Sequence, residues 1–170
     1  MAAGHALREL GDTPEVLAAT YAHAERVSTK ALAGEPFLPT DQIRISYLFE
    51  GFGKYLYAPS YDLMLKYVPK NYAMGAPSRA SAIWAIGKFN HRKDNGQLRL
   101  QLHERIMDND AIAPEMRLVK YACLLTCGEM GKTDAYAESL NVFREFQGES
   151  KTPLCIAANW AALQIENDNR

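Results

Sequence analysis

The stretch A-P-S-R-A-S-A-I-W-A-I-G-K-F-N, residues 76–90, decides the fold of this chain. Pro77 and Ser78 form a start signal for a helix, with Ser78 predicted as the cap, because a serine oxygen can accept from the free amides of a first turn. Small and apolar residues then recur at helical spacing: Ala80, Ile83, Trp84 and Gly87. Because one side is small and the other carries a large aromatic ring, we expect a helix that packs closely between neighbours.

The same kind of segment recurs along the chain. Phe52–Tyr55 aligns with Ile86–Phe89, Lys120–Met130 aligns with Arg79–Phe89 so that Gly128 matches Gly87, and Ala157–Ala162 aligns with Ser81–Ile86 so that Trp160 matches Trp84. Four copies of one helix type, three of them followed by a partner helix, are typical of stacked helical hairpins.

These segments resemble the HEAT and HEAT-like repeats (the phycobilin-lyase type), whose first helix opens with proline, carries a basic residue and ends in an A-L-G-like sequence. The matching residues in the central copy are Pro77, Arg79, Ala82, Ala85, Ile86 and Gly87. Weaker echoes follow Pro114 and Pro153, so the resemblance covers residues 40–165. It implies an all-α fold, an α-α superhelix or solenoid of about four HEAT-like hairpins.

The pattern predicts one domain over residues 1–170, with a capping helix in residues 12–39 and HEAT-like repeats in residues 40–170. No stretch shows an alternation of apolar and polar residues that would indicate a strand. We also expect Gly51 and Gly53 to permit a close crossing by another backbone. The chain is compatible with a place in a larger multidomain protein.

Composition names no partner. The chain has 170 residues, 48% of them hydrophobic, and a formal net charge of −1. It contains no run of apolar residues long enough for a membrane span and no apparent signal sequence, so we expect a soluble, cytoplasmic protein without membrane contact. Its three cysteines, Cys123, Cys127 and Cys155, are predicted to be core residues, and the scattered histidines predict no metal site.

The resemblance implies a non-catalytic scaffold or adaptor that binds another protein through the concave surface of its second helices, Tyr61–Val68, Gln97–Met107 and Asp134–Phe146. Exposed contact residues are predicted on these helices: Lys66, Arg99, His103, Arg105, Glu138 and Arg144. Replacing Arg99 and Arg105 by glutamate should weaken binding with little change in melting temperature. No catalytic residue, cofactor or metal is predicted.

Two other functions stay open. Residues 66–99 carry seven basic residues and one acidic residue, which favours a protein partner with acidic groups and, less strongly, a nucleic acid. Arg79 and Lys88 in this segment are alternatively expected to contact neighbouring helix ends. HEAT-like proteins also include phycobilin lyase subunits, which would bind a bilin, and DNA glycosylases, which would need a basic channel.

Overall fold

The computed structural model describes residues 13–132 and 136–167, and within these ranges the chain is all-α, with no strand. The α-helices are α1 Pro14–Leu32, α2 Pro39–Tyr55, α3 Tyr61–Leu65, α4 Ala76–Phe89, α5 Gly96–Met107, α6 Arg117–Met130, α7 Tyr136–Arg144 and α8 Pro153–Asn167. Single 3-10 turns lie at Ala58–Ser60 and Tyr72–Met74. The predicted all-α class is confirmed.

The chain divides into two compact units, residues 1–86 and 87–170. The division falls inside α4. We call α2, α4, α6 and α8 the first helices, and α3, α5 and α7 the second helices. The prediction of a single solenoid domain stays a prediction, and the start expected for α7, at Thr133 and Asp134, lies outside the described residues.

Helix starts follow the sequence signals only in part. Pro14 and Pro153 open α1 and α8, and the Asn95 side chain accepts from the Leu98 amide at 3.1 Å to cap α5. Ser78, however, is no cap. Because α4 begins at Ala76, Ser78 lies inside the first turn, and its hydroxyl donates backwards to the Met74 carbonyl.

Aromatic packing builds the core of residues 14–86. Phe49, Phe52 and Tyr67 are fully buried, and the rings of Phe49 and Tyr67 meet edge to face with centroids 4.8 Å apart. The Tyr67 hydroxyl donates to Ser28 Oγ on α1 at 2.6 Å, so this buried hydroxyl has a hydrogen-bond partner. Burial raises the pKa of Tyr67 to about 12.

The core of residues 87–167 is aliphatic and contains all three cysteines. Leu102 and Ile106 of α5 pack there with Phe143 of α7, and each is fully buried. The cysteine thiols are buried and free, as the spacing predicted. Burial raises the pKa of Cys127 to about 12, so its thiol stays protonated and behaves as a small apolar side chain.

The first helices cross at their repeated glycines. Within residues 14–86, a methyl group on Gly53 would lie 2.7 Å from Ala85 Cα, and the Trp84 ring lies beside the same point. Within residues 87–167, a methyl on Gly87 would lie 3.3 Å from Thr126 Cα. One on Gly128 would lie 2.9 Å from Ala161 Cα. A side chain at Gly53 or Gly128 would force the opposite helix to shift, and one at Gly87 would lie tight against Thr126.

These crossings all use the same pair of repeat positions. Ala85 lies two residues before Gly87, and Thr126 lies two residues before Gly128. Ala161 likewise lies two residues before Leu163, the residue that stands at the glycine position of α8. The close crossing predicted for Gly51 and Gly53 is confirmed for Gly53 and stays a prediction for Gly51, and the contact is repeated in register in both units.

A buried basic residue near the start of α4 and α6 adds a second repeated contact. Arg79 donates from Nε to the Tyr67 carbonyl at 3.1 Å and from Nη2 to the Val68 carbonyl at 3.2 Å, in the turn after α3. Lys120, which stands at the Arg79 position of the next repeat, donates to Asn109 Oδ1 at 2.6 Å, in the segment after α5. Each basic side chain therefore connects its first helix to the segment that follows the preceding second helix.

Candidate partner-binding surface

The structure divides the six predicted contact residues into two groups. Lys66, Glu138 and Arg144 are exposed on α7 and in the turn after α3, as predicted. Arg99 retains 1% of its surface, and His103 is also buried. The predicted exposure of Arg99 and His103 is therefore wrong, and the physical reason is a polar cluster between α5 and α7.

Arg99 is buried because its guanidinium group binds two partners on neighbouring segments. Nη1 donates to Ser139 Oγ of α7 at 2.8 Å, and Nη2 donates to the Gly131 carbonyl at 2.9 Å. Gly131 directly follows α6, so the positive charge lies at the negative end of that helix. Burial lowers the pKa of Arg99, and the nearby Cys127 and Asp94 act in the opposite direction.

His103 completes this cluster on the next turn of α5. Its Nε2 lies 3.0 Å from Ser139 Oγ. The Ser139 oxygen accepts from Arg99, and its hydroxyl hydrogen can donate to Nε2 when the imidazole is neutral. Burial lowers the pKa of His103, the Glu138 carboxylate raises it, and Arg99 lowers it.

A serine, a histidine and an acid thus lie together, but they do not form a nucleophilic triad. Ser139 is fully buried, and its oxygen accepts from a cationic guanidinium group. The Glu138 carboxylate lies 4.0 Å from His103 Nδ1, outside hydrogen-bond distance. A catalytic serine must reach a substrate carbonyl, and this one is covered. The cluster instead joins α5 to α7 and to the end of α6.

Arg105, half-buried, lies in an ion-pair network at the end of α5. Its guanidinium nitrogens lie 3.7 Å from Asp108 Oδ2, 3.9 Å from Glu115 Oε2 and 3.7 Å from Glu104 Oε2. The Glu115 carboxylate has no exposed surface, so Arg105 stabilises a buried charge as well as the loop that follows α5. This structural role of Arg105 was not predicted from the sequence.

The outward face of α5 carries apolar side chains instead of the predicted cations. Leu100 is 53% exposed and Met107 is 41% exposed, with the exposed Glu104 between them. Leu98, Leu102 and Ile106 line the inner face, and Leu100 lies about 200° around the helix from Leu98. The outward position of Leu100 could therefore have been predicted from this angle in the sequence.

The basic segment does not form one continuous surface of cations. Arg79 and Arg99 are buried on protein acceptors, and Lys88 Nζ contacts Glu129 Oε1 in the last turn of α6. His91 Nδ1 lies 2.8 Å from the other oxygen of the same carboxylate. The predicted contacts of Arg79 and Lys88 with neighbouring helix ends are confirmed. The burial of Arg79 and Arg99 and the pairing of Lys88 with Glu129 weaken the nucleic-acid interpretation.

The described residues include no group of three or more histidine, cysteine or acidic side chains arranged to hold a metal ion. None of the described helices combines the length and apolar character that a membrane crossing requires. Comparison of the chain with known protein families, curated proteins and solved structures gives no match. The surface must therefore be interpreted from its own residues.

Proposed function

We propose that this chain is a non-catalytic protein-interaction module, an α-solenoid of about four HEAT-like hairpins that serves as a cytoplasmic scaffold or adaptor. The observation that carries the proposal is the repeated glycine crossing. A contact that recurs at the same positions in successive helices is what a stack of like hairpins requires. The Arg79 and Lys120 ties support the same architecture, because the two residues stand at matching positions ahead of Gly87 and Gly128.

In such a stack the second helices supply the binding surface. The Arg99, His103 and Ser139 cluster fixes α5 against α7, so the outward face of α5 is held rigid. A rigid face loses little conformational entropy when it binds, which favours recognition. We propose Leu100 and Met107 as the apolar contacts of this surface, with Glu104 and the α7 residues Glu138 and Arg144 at its polar edge.

The proposed occupant is another protein. Exposed leucine and methionine side chains surrounded by charges suit a protein partner, because apolar anchors contribute most of the binding energy and charged edges set orientation. A nucleic acid would require a continuous run of exposed cations, and two of the arginines that the sequence offered are buried. Acidic groups on the partner would meet the exposed Arg92 and Lys93, which precede α5.

Affinity capture from lysate of the source cells tests this function with three forms of the chain: wild type, Leu100→Glu combined with Met107→Glu, and Leu118→Glu. Leu118 is 47% exposed on α6 and serves as the matched control. We expect the wild type and the control to retain the same discrete protein and the double variant to lose it. Equal capture by all three forms would show that Leu100 and Met107 do not form the binding surface. Capture of nucleic acid that salt releases, or of a bilin, would contradict the proposed function.

A further inference from the structure

Two buried polar side-chain atoms of the described residues lack a hydrogen-bond partner, and both belong to the cluster between α5 and α7. They are Arg99 Nε and His103 Nδ1. Nearly all buried polar groups in folded proteins have a partner, because an unpaired one costs stability. An exception therefore needs a physical explanation, and for His103 Nδ1 the explanation lies in the side chain opposite it.

The Glu138 carboxylate of α7 is the acidic group opposite this nitrogen. Its Oε1 lies 4.0 Å from Nδ1, and 61% of the glutamate side chain is exposed, against 6% of the histidine side chain. An exposed carboxylate changes position by rotation about its side-chain torsions. A movement of about 1 Å would bring Oε1 within hydrogen-bond distance of Nδ1. The carboxylate is therefore within reach of this nitrogen but is not bonded to it.

The other ring nitrogen of His103 has a fixed partner. Nε2 lies 3.0 Å from Ser139 Oγ, and that oxygen accepts from Arg99 Nη1 at 2.8 Å. When the imidazole is neutral and the Ser139 hydroxyl donates to Nε2, the ring proton lies on Nδ1. Because Ser139 and Arg99 are both buried, these contacts hold the ring in one orientation, with Nδ1 towards Glu138.

A second proton on the imidazole changes the hydrogen bonds at both nitrogens. The imidazolium donates from Nδ1 and from Nε2 at once. Ser139 Oγ has two lone pairs, so it can accept from His103 Nε2 and from Arg99 together, while its own hydrogen turns away from the ring. At Nδ1 the donor is now cationic, and a hydrogen bond between a cation and a carboxylate is roughly twice as strong as a neutral one. Protonation therefore favours the movement of Glu138 onto Nδ1.

The charges around His103 determine when this proton is taken up. On α5, Arg99 opposes a second positive charge, and on α7, Glu138 favours it; burial, the largest influence, also opposes it and lowers the pKa of His103. On α6, the Cys127 thiol lies near Arg99 and stays uncharged, since its pKa is about 12. The histidine is therefore protonated in acid, below its usual value near 6.5.

We propose that His103 and Glu138 form a pH-sensitive switch between α5 and α7, in which protonation of His103 moves the Glu138 carboxylate out of solvent and onto Nδ1. The switch follows from the geometry of the cluster. Its effect on binding rests on the proposed function, because Glu138 lies at the polar edge of the partner surface. In acid this edge loses an exposed negative charge, so a partner that presents a basic group to Glu138 is bound less tightly.

Solution NMR of the isotope-labelled chain between about pH 7.5 and about pH 5 tests the switch without any partner. In the wild type, the Glu138 carboxyl carbon should change its chemical shift at the pH where the His103 ring is half protonated. This change should be absent from His103→Gln. Glu138→Gln should make His103 harder to protonate, whereas the control Glu104→Gln, which removes an exposed carboxylate next to His103 in the chain, should do so less.

Two results would overturn the switch. One is a Glu138 carboxyl carbon that does not change with the protonation of His103, a readout that needs no substitution. The other is an equal effect of Glu138→Gln and Glu104→Gln on His103, because the coupling would then be general charge and not a contact. Partner capture at the two ends of the pH range tests the effect on binding separately. A wild type that shows the NMR change but captures no protein at either pH would support the switch and contradict the proposed function, and equal capture at both would overturn the effect on binding.

Discussion

The first and second helices are held by different kinds of contact. First helices contact each other at glycines. At Gly53, Gly87 and Gly128 no side chain separates the two helices, so their backbones come close together. Second helices in the unit formed by residues 87–170 meet through polar side chains, where Arg99 and His103 share Ser139. Close fit at the glycines specifies the first kind of contact, with the Lys88–Glu129 ion pair added between α4 and α6, while buried hydrogen-bond pairing specifies the second.

This difference decides which changes each set of helices can accept. A glycine crossing tolerates a small residue on the opposite helix, but a carbon atom added at the glycine itself costs free energy because it overpacks the opposite backbone. A buried guanidinium group tolerates changes in volume poorly and changes in charge even less, because the groups around it are acceptors that suit a cation. Substitutions in the first helices and in the second helices should therefore destabilise the protein for different physical reasons.

The largest expected effect is that of Arg99→Glu on the second helices. The change would remove the donors to Ser139 and Gly131 and bury a carboxylate beside the negative end of α6. An uncompensated buried charge costs about 3–5 kcal/mol of unfolding free energy. Urea unfolding should show this loss, while Arg144→Glu on the exposed face of α7 should change the free energy by less than about 0.5 kcal/mol.

This outcome would reverse the expectation from the sequence that replacing Arg99 and Arg105 by glutamate changes the melting temperature little. If Arg99→Glu and Arg144→Glu proved equally stable, the buried cluster would not hold α5 against α7, and the contrast between the two sets of helices would be lost.

Gly128→Ala should have a smaller effect, on the first helices. The added methyl would meet the Trp160 ring and lie 2.9 Å from Ala161 Cα, a backbone atom that cannot move alone. Overpacking of this kind costs about 1–3 kcal/mol, and the better helix propensity of alanine returns up to about 1 kcal/mol. We expect a net loss of about 1–2 kcal/mol in urea unfolding.

Gly96→Ala is the matched control, because a methyl there meets no atom within 4 Å. It should leave stability unchanged or raise it slightly. Equal behaviour of the two glycine variants would show that the crossing at Gly128 can relax without cost, and close packing would then not distinguish the first helices.

The same contrast explains how much of the architecture the sequence could predict. The crossing at Gly53 could be predicted because glycine inside an apolar helix has few other uses, and the repeat offsets place Gly87 and Gly128 at the matching positions. The start signals were less reliable. Ser78 carries a cap-forming side chain, but the helix begins earlier, and its hydroxyl finds the Met74 carbonyl instead.

The second helices were harder to interpret because arginine and histidine are usually exposed. Arg99 and His103 lie one residue after the inward-facing Leu98 and Leu102, at the edge of the apolar face. Whether such an edge position is buried depends on its acceptor, and Ser139 lies 40 residues away from Arg99 in the chain. No pattern within α5 contains that information, whereas the outward position of Leu100 could have been predicted from its helical angle.

The smallest expected effect is a pH dependence that belongs to the second helices alone. Burial lowers the pKa of His103 below its usual value near 6.5, so the unfolded chain binds the proton more readily than the folded chain does. The stabilisation is therefore complete above about pH 6.5 and declines as the pH falls below it, until the lowered pKa is reached. The slope for one such group is at most about 1.4 kcal/mol per pH unit.

Urea unfolding between about pH 7.5 and about pH 5, a range chosen to bracket the usual histidine value, should show this decline in the wild type and a reduced one in His103→Gln. Gly128→Ala, which is destabilised without any change near the histidine, should retain the wild-type slope. If His103→Gln kept the full slope, the decline would come from other groups, and the folded chain would take up a proton on His103 as readily as the unfolded chain does.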